Sequence, residues 1–391
     1  MSAEDPASDN PRASLRLLGI AFAVFGVMFG VWQVLLEDLR QALSITPGPL
    51  GLAYTIAVVG SFPAMIIGGR IIDRTGAKIL IVGAATAMGL VFVALTGISN
   101  YAGLVAVLFI FLTASGVYDV GINAVAIHQE RRTARTIMPL AHAAFSGGGA
   151  TGAIVAGLLL SLGLPFRSLY LMVAALLWVV AASIWFRARW GNVHPAGSSS
   201  VNRGSLFKRA DLLLVALIIS LAFLAEGAME TWSAIYLRGS LELPVLIGAS
   251  GVAVFHLAMA TGRIATTAVV RGIGRRATLG MGGLMAAVGN VTALATDRPA
   301  IILAGFLMIG IALAGVAPVA LSIGGDLVPD RAGQAASILM TLGYAGFSIG
   351  PTVIGSLAEA ATLRLALSVI GMVGLAITYL STRVATTQTA L

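Results

Sequence analysis

The chain has 391 residues, of which 58% are hydrophobic and only 10% are charged. Its mean hydropathy of +0.97 lies far above the range of water-soluble domains and excludes a soluble globular protein. The sequence contains no cysteine, which excludes disulfides and thiolate metal sites. The composition therefore indicates an integral membrane protein.

Long apolar runs predict membrane-spanning helices, because a bilayer core of about 30 Å requires roughly 20 apolar residues per helix. The alternation of apolar and polar residues that marks barrel strands is not seen. In chain order the predicted spans are residues 15–37, 49–69, 78–97, 101–128, 137–163, 166–186, 211–237, 245–269, 277–295, 298–324, 331–357 and 363–382. Since most connections are short, successive helices are expected to be antiparallel.

The basic residues are distributed unequally between the two sets of loops. When both termini are placed in the cytoplasm, nineteen Lys and Arg fall on the cytoplasmic side, Arg263 among them, and five, including Arg40 and Arg238, on the other. This asymmetry follows the positive-inside rule. Topology thus accounts for the net charge of +8, and no nucleic-acid partner is expected.

Polar segments divide the chain into two halves. Residues 1–14 lack a basic region and a cleavage site, so they predict a disordered cytoplasmic tail and not a signal peptide. Residues 187–210 are rich in Gly, Ser and basic side chains and predict a cytoplasmic linker. The linker separates a six-helix bundle at 15–186 from a second one at 211–382, and residues 383–391 form a second cytoplasmic tail.

Two short matches indicate that the halves arose by duplication. The segment "RIIDRTGAK" (70–78) aligns with "VRGIGRR" (270–276) when Gly76 is placed on Gly274, an offset of 198. The segment "GVYDV" (116–120) aligns with "GVAPV" (315–319) at an offset of 199. The expected fold class is therefore an all-α integral membrane protein with twelve transmembrane helices in two pseudo-symmetric six-helix bundles.

This architecture and one motif resemble the major facilitator superfamily. The segment "GRIIDRTGAK" (69–78) is similar to the superfamily signature between helices two and three, although Ala77 stands where arginine is usual. In the second half, Arg271 occupies the aspartate position. The resemblance implies that a latch closes the cytoplasmic side in the outward-open state, and the residues that match the signature are Gly69, Asp73, Arg74, Gly76 and Lys78.

Three passages are similar to a narrower group, the bacterial relatives of fucose permease. The segment "YDVGINA" (118–124) resembles that group's fourth helix, with an acid followed by asparagine four positions later. The segments "MPLAHAAFSGGGATGA" (138–153) and "AEGAMETWSAIYLRG" (225–239) look like its fifth and seventh helices. The resemblance implies alternating-access transport of a small solute across the bacterial cytoplasmic membrane.

Asp119 is the first candidate for proton coupling, since residues 101–127 carry no other charge. An ionised carboxylate at mid-bilayer costs roughly 2.5–3.5 kcal/mol, so Asp119 is expected to face a cavity, to contact a partner or to be protonated. Asn123, one turn later, is a candidate substrate ligand. The alternative is a hydrogen bond between helices that only fixes packing, or a position near the cytoplasmic water.

The seventh helix carries a second acidic pair. Glu226 and Glu230 are four residues apart and share one face, which Ser233 continues. Two ionised carboxylates at this spacing repel each other, so one is expected to be protonated or paired. With Trp232 as a stacking group, this face would suit a small polar substrate. Alternatively, Glu230 lies near the outer surface and is solvated.

Other polar and aromatic residues within the spans are candidate substrate contacts. A lone histidine in a helix is as often a packing group as a ligand, and an aromatic residue near a helix end is as often part of the interfacial belt. These further candidates are Gln33, His142, His256 and Tyr344. Pro318 and Pro351 are expected to kink the tenth and eleventh helices, where alternating access could bend them.

The sequence favours a proton-coupled symporter and leaves two alternatives open. One is a proton-antiport exporter, although the fourth helix has no central arginine and the fifth lacks the Gly-Pro signature of such exporters. The other is an intramembrane serine protease, since "GASG" (248–251) matches the rhomboid serine motif, with His256 on the same helix. No GxxxxGK[ST] loop is present. We expect no enzyme activity, cofactor or metal, and a monomer that binds its solute, protons and lipid.

Overall fold

A computed structural model describes residues 11–133, 137–188, 190, 206 and 208–384. Most of the predicted tails and of the linker at 187–210 therefore lies outside the described residues. The side chains of Asp73 and Arg74 and the surroundings of Gly69 also lie outside the described part, although the backbone of all three residues belongs to the second helix.

The described residues form helices and no strands, which confirms the predicted all-α fold class. The first half holds α1 (Pro11–Ala42), α2 (Pro47–Thr75), α3 (Ala77–Leu95), α4 (Tyr101–Thr133), α5 (Met138–Ser161) and α6 (Phe166–Arg187). The second half holds α7 (Ala210–Ile235), α8 (Val245–Ile273), α9 (Arg275–Leu294), α10 (Pro299–Ala314), α11 (Val316–Leu327), α12 (Ala332–Ala360) and α13 (Leu363–Ser381).

Eleven helical stretches within the described residues are long and apolar enough to cross a membrane. Helix α2, 29 residues long, supplies the remaining predicted span. One stretch, Pro299–Leu327, combines α10 and α11, which are separated only at Gly315. Another, Ala210–Ser240, combines α7 with a π-helical turn at Tyr236–Ser240. The twelve predicted spans thus correspond to helices of the fold.

The first repeat match has a direct structural counterpart. Gly76 alone connects α2 to α3, and Gly274 alone connects α8 to α9. Their backbone angles are nearly identical, with φ 81° and ψ 158° at Gly76 and φ 81° and ψ 161° at Gly274. Only glycine adopts this region without strain. The duplicated sequence therefore builds the same one-residue turn twice.

The second repeat match shows where the copies differ. Helix α4 runs through Asp119 without interruption, whereas the equivalent span breaks at Gly315, three residues before Pro318. The proline ring lacks a backbone N–H and disfavours a regular helix over the preceding turn. The break thus lies where the proline predicts a kink. In contrast, α12 continues through Pro351.

The described residues form two compact units. One comprises the described residues within Met1–Val31, Ile56–Gly152 and Leu164–Ser198. Its core contains buried aromatic side chains, and Phe25 lies 4.9 Å from Tyr118 between ring centroids. Helices α1 and α5 approach so closely that a Cβ on Gly148 would overlap the carbonyl oxygen of Ala23. Glycine at this position permits the contact.

The other unit comprises the described residues within Trp32–Thr55, Ala153–Gly163 and Ser199–Leu391. The end of α1, the start of α2 and the end of α5 thus pack with helices α7 to α13. On α12, Pro351 removes an N–H from the ladder, and Thr55 of α2 donates a hydrogen bond to the Ser348 carbonyl at 3.0 Å. Thr352 donates to the Gly51 carbonyl at 2.7 Å. Hydroxyl groups therefore link α2 and α12 close to this proline.

Candidate functional site

Asp119 lies on α4, where its carboxylate is paired within its own helix. The Asn123 side chain donates from Nδ2 to Asp119 Oδ1 at 2.8 Å and also to the Asp119 carbonyl oxygen at 2.8 Å. Both side chains are partly exposed. Among the described residues, the hydrogen-bond partner of this carboxylate is a neutral amide, which does not cancel its charge.

Tyr118, the residue before Asp119, anchors α4 to α1. The Tyr118 hydroxyl is buried and donates to the Ala21 carbonyl oxygen of α1 at 3.2 Å. His142 of α5 lies edge-on to Phe22, with 5.8 Å between ring centroids. His142 is therefore seated against an aromatic ring, which is the packing role that the sequence left open for it.

The acidic pair of α7 is joined by a cation that the sequence did not assign to it. Arg263 of α8 lies with Nη2 3.4 Å from Glu226 Oε1, and the two side chains are 33% and 16% exposed. Glu230 interacts electrostatically with both Glu226 and Arg263. From the sequence, Arg263 was counted only among the basic residues of the cytoplasmic side, and the structure adds that it lies on α8 opposite Glu226 of α7.

A second contact extends this group of polar side chains. His256 Nε2 lies 3.0 Å from Gln33 Oε1, and both residues are buried, at 2% and 3% exposed. Arg263, two turns beyond His256 on α8, interacts with it electrostatically. Gln33 Nε2 has no hydrogen-bond partner among the described residues. A buried amide N–H in this condition is available to a ligand.

Tyr54 brings the start of α2 into the same group. Its hydroxyl accepts a hydrogen bond from Trp32 Nε1 at 2.6 Å and interacts electrostatically with Glu230. We refer to these connected side chains as the polar cluster, which consists of Gln33, Tyr54, Glu226, Glu230, His256 and Arg263. The cluster joins four residues that the sequence indicated as candidates, Gln33, Glu226, Glu230 and His256, with two that it did not, Tyr54 and Arg263.

Trp232 and Ser233 lie beside the cluster on α7. Trp232 is fully buried, and a Cβ on Gly355 of α12 would lie 3.2 Å from its Cζ2 atom. The indole N–H of Trp232 and the Ser233 hydroxyl have no partner among the described residues. Because its ring faces are covered by protein, Trp232 offers a donor and not a stacking surface in this conformation.

Tyr344 and Pro351 lie on α12, and Pro318 lies on α11. The Tyr344 ring packs 5.6 Å from that of Phe223 on α7. Pro318 is exposed at the start of α11, and Pro351 is buried within α12. Gly76 forms the α2–α3 turn, whereas the side chains of its signature partners Asp73 and Arg74, and Gly69, lie outside the described part.

An ion pair near the end of α1 was not anticipated. Arg238, in the π-turn after α7, donates to Asp38 from Nη1 at 2.5 Å and from Nη2 at 2.9 Å. It also donates to the Val34 carbonyl oxygen at 2.9 Å. The sequence assigned Arg238 to a loop and ended the first span at residue 37, so the pairing was missed. The sequence signal that could have indicated this pair is the acid Asp38 near the end of one span and the base Arg238 near the end of another.

The serine motif does not form a hydrolytic site. Ser250 donates to the Leu246 carbonyl oxygen of its own helix at 2.8 Å, and His256 contacts Gln33 instead. A serine nucleophile requires an adjacent general base. The described contacts of these two residues give the protease alternative no support.

Comparison with known proteins identifies the family. The model of the Major Facilitator Superfamily matches residues 17–272. An uncharacterized MFS-type transporter of Yersinia pestis is 28% identical over 356 residues, covering 90% of this chain and 91% of that protein. The membrane protein MosC of Rhizobium meliloti is 27% identical over 372 residues, with 93% of this chain and 89% of that protein covered.

Solved structures show the same fold at low identity. A bacterial homolog of the human lysosomal transporter Spinster, inward-facing and unoccupied, gives a TM-score of 0.80 at 14% identity and covers 97% of this chain and 98% of its own. The nucleoside transporter NupG gives a TM-score of 0.76 at 13% identity and covers 95% of this chain and 98% of its own. At these identities the likeness concerns the fold alone.

Proposed function

Because the chain belongs to the major facilitator superfamily of transporters, we propose that it moves a small polar solute across the bacterial cytoplasmic membrane by alternating access, driven by protons. Both termini are placed in the cytoplasm, and the protein acts as a monomer. The halves 15–186 and 211–382 move relative to each other, with Asp73 and Arg74 as the cytoplasmic latch and Pro318 and Pro351 as flexible points.

The charge of the polar cluster is the observation that carries the proposal. It contains two carboxylates, Glu226 and Glu230, and a single guanidinium from Arg263. With His256 neutral, the formal charge is −1. In an apolar span an unbalanced charge is costly, and a bound proton or a cationic group of the solute would remove it. Proton binding and solute binding are therefore coupled at this cluster.

We assign the transported proton to Glu230. Arg263 forms its ion pair with Glu226, so its positive charge mainly balances the negative charge of Glu226. Glu230 is repelled by Glu226 and attracted by Arg263, and the neutral hydroxyl of Tyr54 is a further neighbour. Protonation of Glu230 neutralises the cluster, and its release restores the charge. Asp119, supported by Asn123, serves as a second proton site in the other unit.

The solute is proposed to contact the neutral polar groups. Gln33 Nε2 and Trp232 Nε1 are buried donors without partners in the described structure. Such donors favour a ligand rich in hydrogen-bond acceptors, as sugars and similar metabolites are. His256 positions Gln33 through the contact at 3.0 Å, and Asn123, His142 and Tyr344 are kept as further contacts.

The test begins with the solute. Purified protein is screened by thermal shift against sugars, nucleosides, amino acids, organic acids and drugs, since a bound ligand stabilises by mass action. A stabilising compound is then offered to proteoliposomes with an acidic exterior, and solute and proton fluxes are measured together. Symport accumulates solute inside, whereas a proton-antiport exporter moves it toward the acidic side.

The acidic residues are tested in the same vesicles. Glu230→Gln is expected to abolish accumulation driven by the pH gradient while retaining exchange of solute across the membrane. Glu242→Gln, at an exposed acid outside the helices, is the matched control and should behave as the wild type. Transport that ignores the pH gradient, with Asp119→Asn, Glu226→Gln and Glu230→Gln all fully active, would overturn proton coupling.

A further inference from the structure

A groove on the membrane-facing side of the first half has no role in the proposed transport. It lies between α3 and α6 and has a volume of about 460 Å³, within the size range of ligand sites. Its main lining residues are Val82, Thr86 and Leu90 of α3 and Trp178, Ala182 and Trp185 of α6. The α3 residues are four apart, so they form a single stripe along the helix.

The groove exists because small and large residues alternate on α6. Ala181 and Ala182 lie between Trp178 and Trp185, which are 39% and 49% exposed. Trp178 packs against α3 at Gly89, where a Cβ would overlap the indole. The two indoles thus stand at the ends of a depression whose floor is made by alanine.

The polar atoms of the groove are satisfied within the protein. The Thr86 hydroxyl donates to the Val82 carbonyl oxygen of its own helix at 2.8 Å. The Trp178 indole N–H donates to the Thr86 carbonyl oxygen at 3.3 Å. The groove therefore offers an apolar surface along its length, and its occupant in this region must be apolar.

A cation stands at one end of the groove. Lys78 occupies the next position along the α3 stripe, four residues before Val82. Its Nζ donates to the Ala188 carbonyl oxygen after α6 at 3.2 Å and lies 5.5 Å from the centre of the Trp185 ring. An ammonium group has three N–H donors. The described contacts thus fix its position and leave donors for an anion.

We propose that this groove binds an anionic phospholipid, with an acyl chain between α3 and α6 and the phosphate at Lys78. The ligand must combine an apolar chain with a negative head, which is the complement of the surface described above. The Trp185 indole lies at the boundary between the two parts, a position typical of tryptophan at a membrane interface. On the proposed topology the site faces the cytoplasmic leaflet, where basic pockets between helices bind anionic headgroups.

The tryptophans of the protein provide the probe. The chain has five, and Trp32, Trp190 and Trp232 are buried, at 1%, 3% and 0% exposed. Quenching by lipids with brominated acyl chains therefore reports on Trp178 and Trp185. The full-length protein is reconstituted in mixtures of phosphatidylcholine and phosphatidylglycerol, with bromine on one lipid at a time. The ratio of the two quenching curves gives the preference of the groove for the anionic lipid.

Two variants locate the preference. In the wild type, phosphatidylglycerol is expected to be favoured over phosphatidylcholine about fivefold. One lysine near an anionic surface contributes about 1 kcal/mol, which corresponds to this ratio. Lys78→Gln should remove this preference. Arg276→Gln is the matched control, because Arg276 also lies in the first turn of a helix and donates to a carbonyl oxygen after another, that of Thr382. It should keep the wild-type ratio.

The groove itself is tested by filling it. Ala182→Phe should lower quenching by both lipids and reduce the preference, while the thermal-unfolding midpoint stays near that of the wild type because Ala182 is exposed. Equal quenching by the two lipids in the wild type, or a preference that survives both Lys78→Gln and Ala182→Phe, would overturn the proposal.

Discussion

Arg238 holds Asp38 by both terminal nitrogens, at 2.5 and 2.9 Å, although 200 residues separate them in the sequence. The Arg238 side chain is 9% exposed and that of Asp38 is 18% exposed. Their separation is close to the repeat offset, so the pair joins nearly equivalent positions of the two copies. The contact fastens the end of α1 to the turn that follows α7.

Breaking this pair is expected to loosen the end of α1. Removal of one partner of a buried ion pair leaves an uncompensated charge and costs about 3–5 kcal/mol. The chain has no cysteine, so Ser233→Cys, at a residue 1% exposed, introduces a single reporter. In that background Asp38→Asn should raise the rate of labelling by a small thiol reagent more than tenfold.

The control and the rescue use the same reporter. Glu242→Gln removes an exposed acid near the pair and should leave labelling unchanged. The charge exchange Asp38→Arg with Arg238→Asp should return labelling toward the starting rate. If Asp38→Asn labels no faster than Glu242→Gln, the ion pair does not hold α1 in place.

The sequence predicted the helices well because apolar runs alone determine where a chain can cross a bilayer. The run 101–128 corresponds to α4, Tyr101–Thr133. The predicted first span ends at residue 37, because the chain was divided where charged residues begin, whereas α1 continues to Ala42. Glu37 is in fact fully buried and bonded to Arg40 at 2.8 Å. The apolar run ends here, but α1 continues, and the Glu37–Arg40 pair lies within the helix.

The adjacent glycines 147 and 148 provide a matched test of helix packing. A Cβ on Gly148 would overlap the Ala23 carbonyl oxygen of α1, whereas a Cβ on Gly147 would meet nothing within 4 Å. Gly148→Ala should therefore lower the free energy of unfolding by about 1–3 kcal/mol, as overpacking does. Gly147→Ala should be neutral or stabilise by about 0.5–1 kcal/mol through its better helix propensity. Thermal unfolding in detergent compares the two, and equal effects would refute the close contact.

Because the turns at Gly76 and Gly274 have the same backbone geometry, we expect replacement of either glycine by alanine to destabilise the protein to a similar extent. Both residues have φ 81°, and a non-glycine residue in this region costs about 1–3 kcal/mol. No atom lies within 4 Å of a Cβ at either position, so strain and not crowding is measured. Gly76→Ala and Gly274→Ala should lower the unfolding midpoint by similar amounts. Gly83→Ala, in helix α3 with the same open space, should not.

The sequence predicted the candidate site less completely than it predicted the fold. Asp119 and Glu226 stood out because each is an acid in an apolar run. Arg263 was just as unusual, but it was counted with the topology signal at the end of its span. Its contact with Glu226 spans 37 residues of sequence, and the contact of Gln33 with His256 spans 223. Contacts of this kind depend on how the helices pack against each other, and the pattern of apolar residues along a single helix does not determine that packing.

The pair Gln33 and His256 distinguishes a binding role from a packing role. His256→Ala leaves the Gln33 amide buried without its partner, which should lower the free energy of unfolding by about 1–3 kcal/mol. Replacing both members by apolar groups, Gln33→Leu with His256→Phe, removes the unpaired atoms and should recover most of that loss. The double variant is therefore expected to fold, and its unfolding midpoint in detergent checks this.

Transport by the same double variant decides the role. If the pair contacts the solute, the folded double variant should transport at less than one tenth of the wild-type rate, because the buried donor Gln33 Nε2 is gone. Ser250→Ala is the control, since its hydroxyl bonds only to its own helix and should not affect transport. A stable double variant that transports at the wild-type rate would show that Gln33 and His256 only pack α1 against α8.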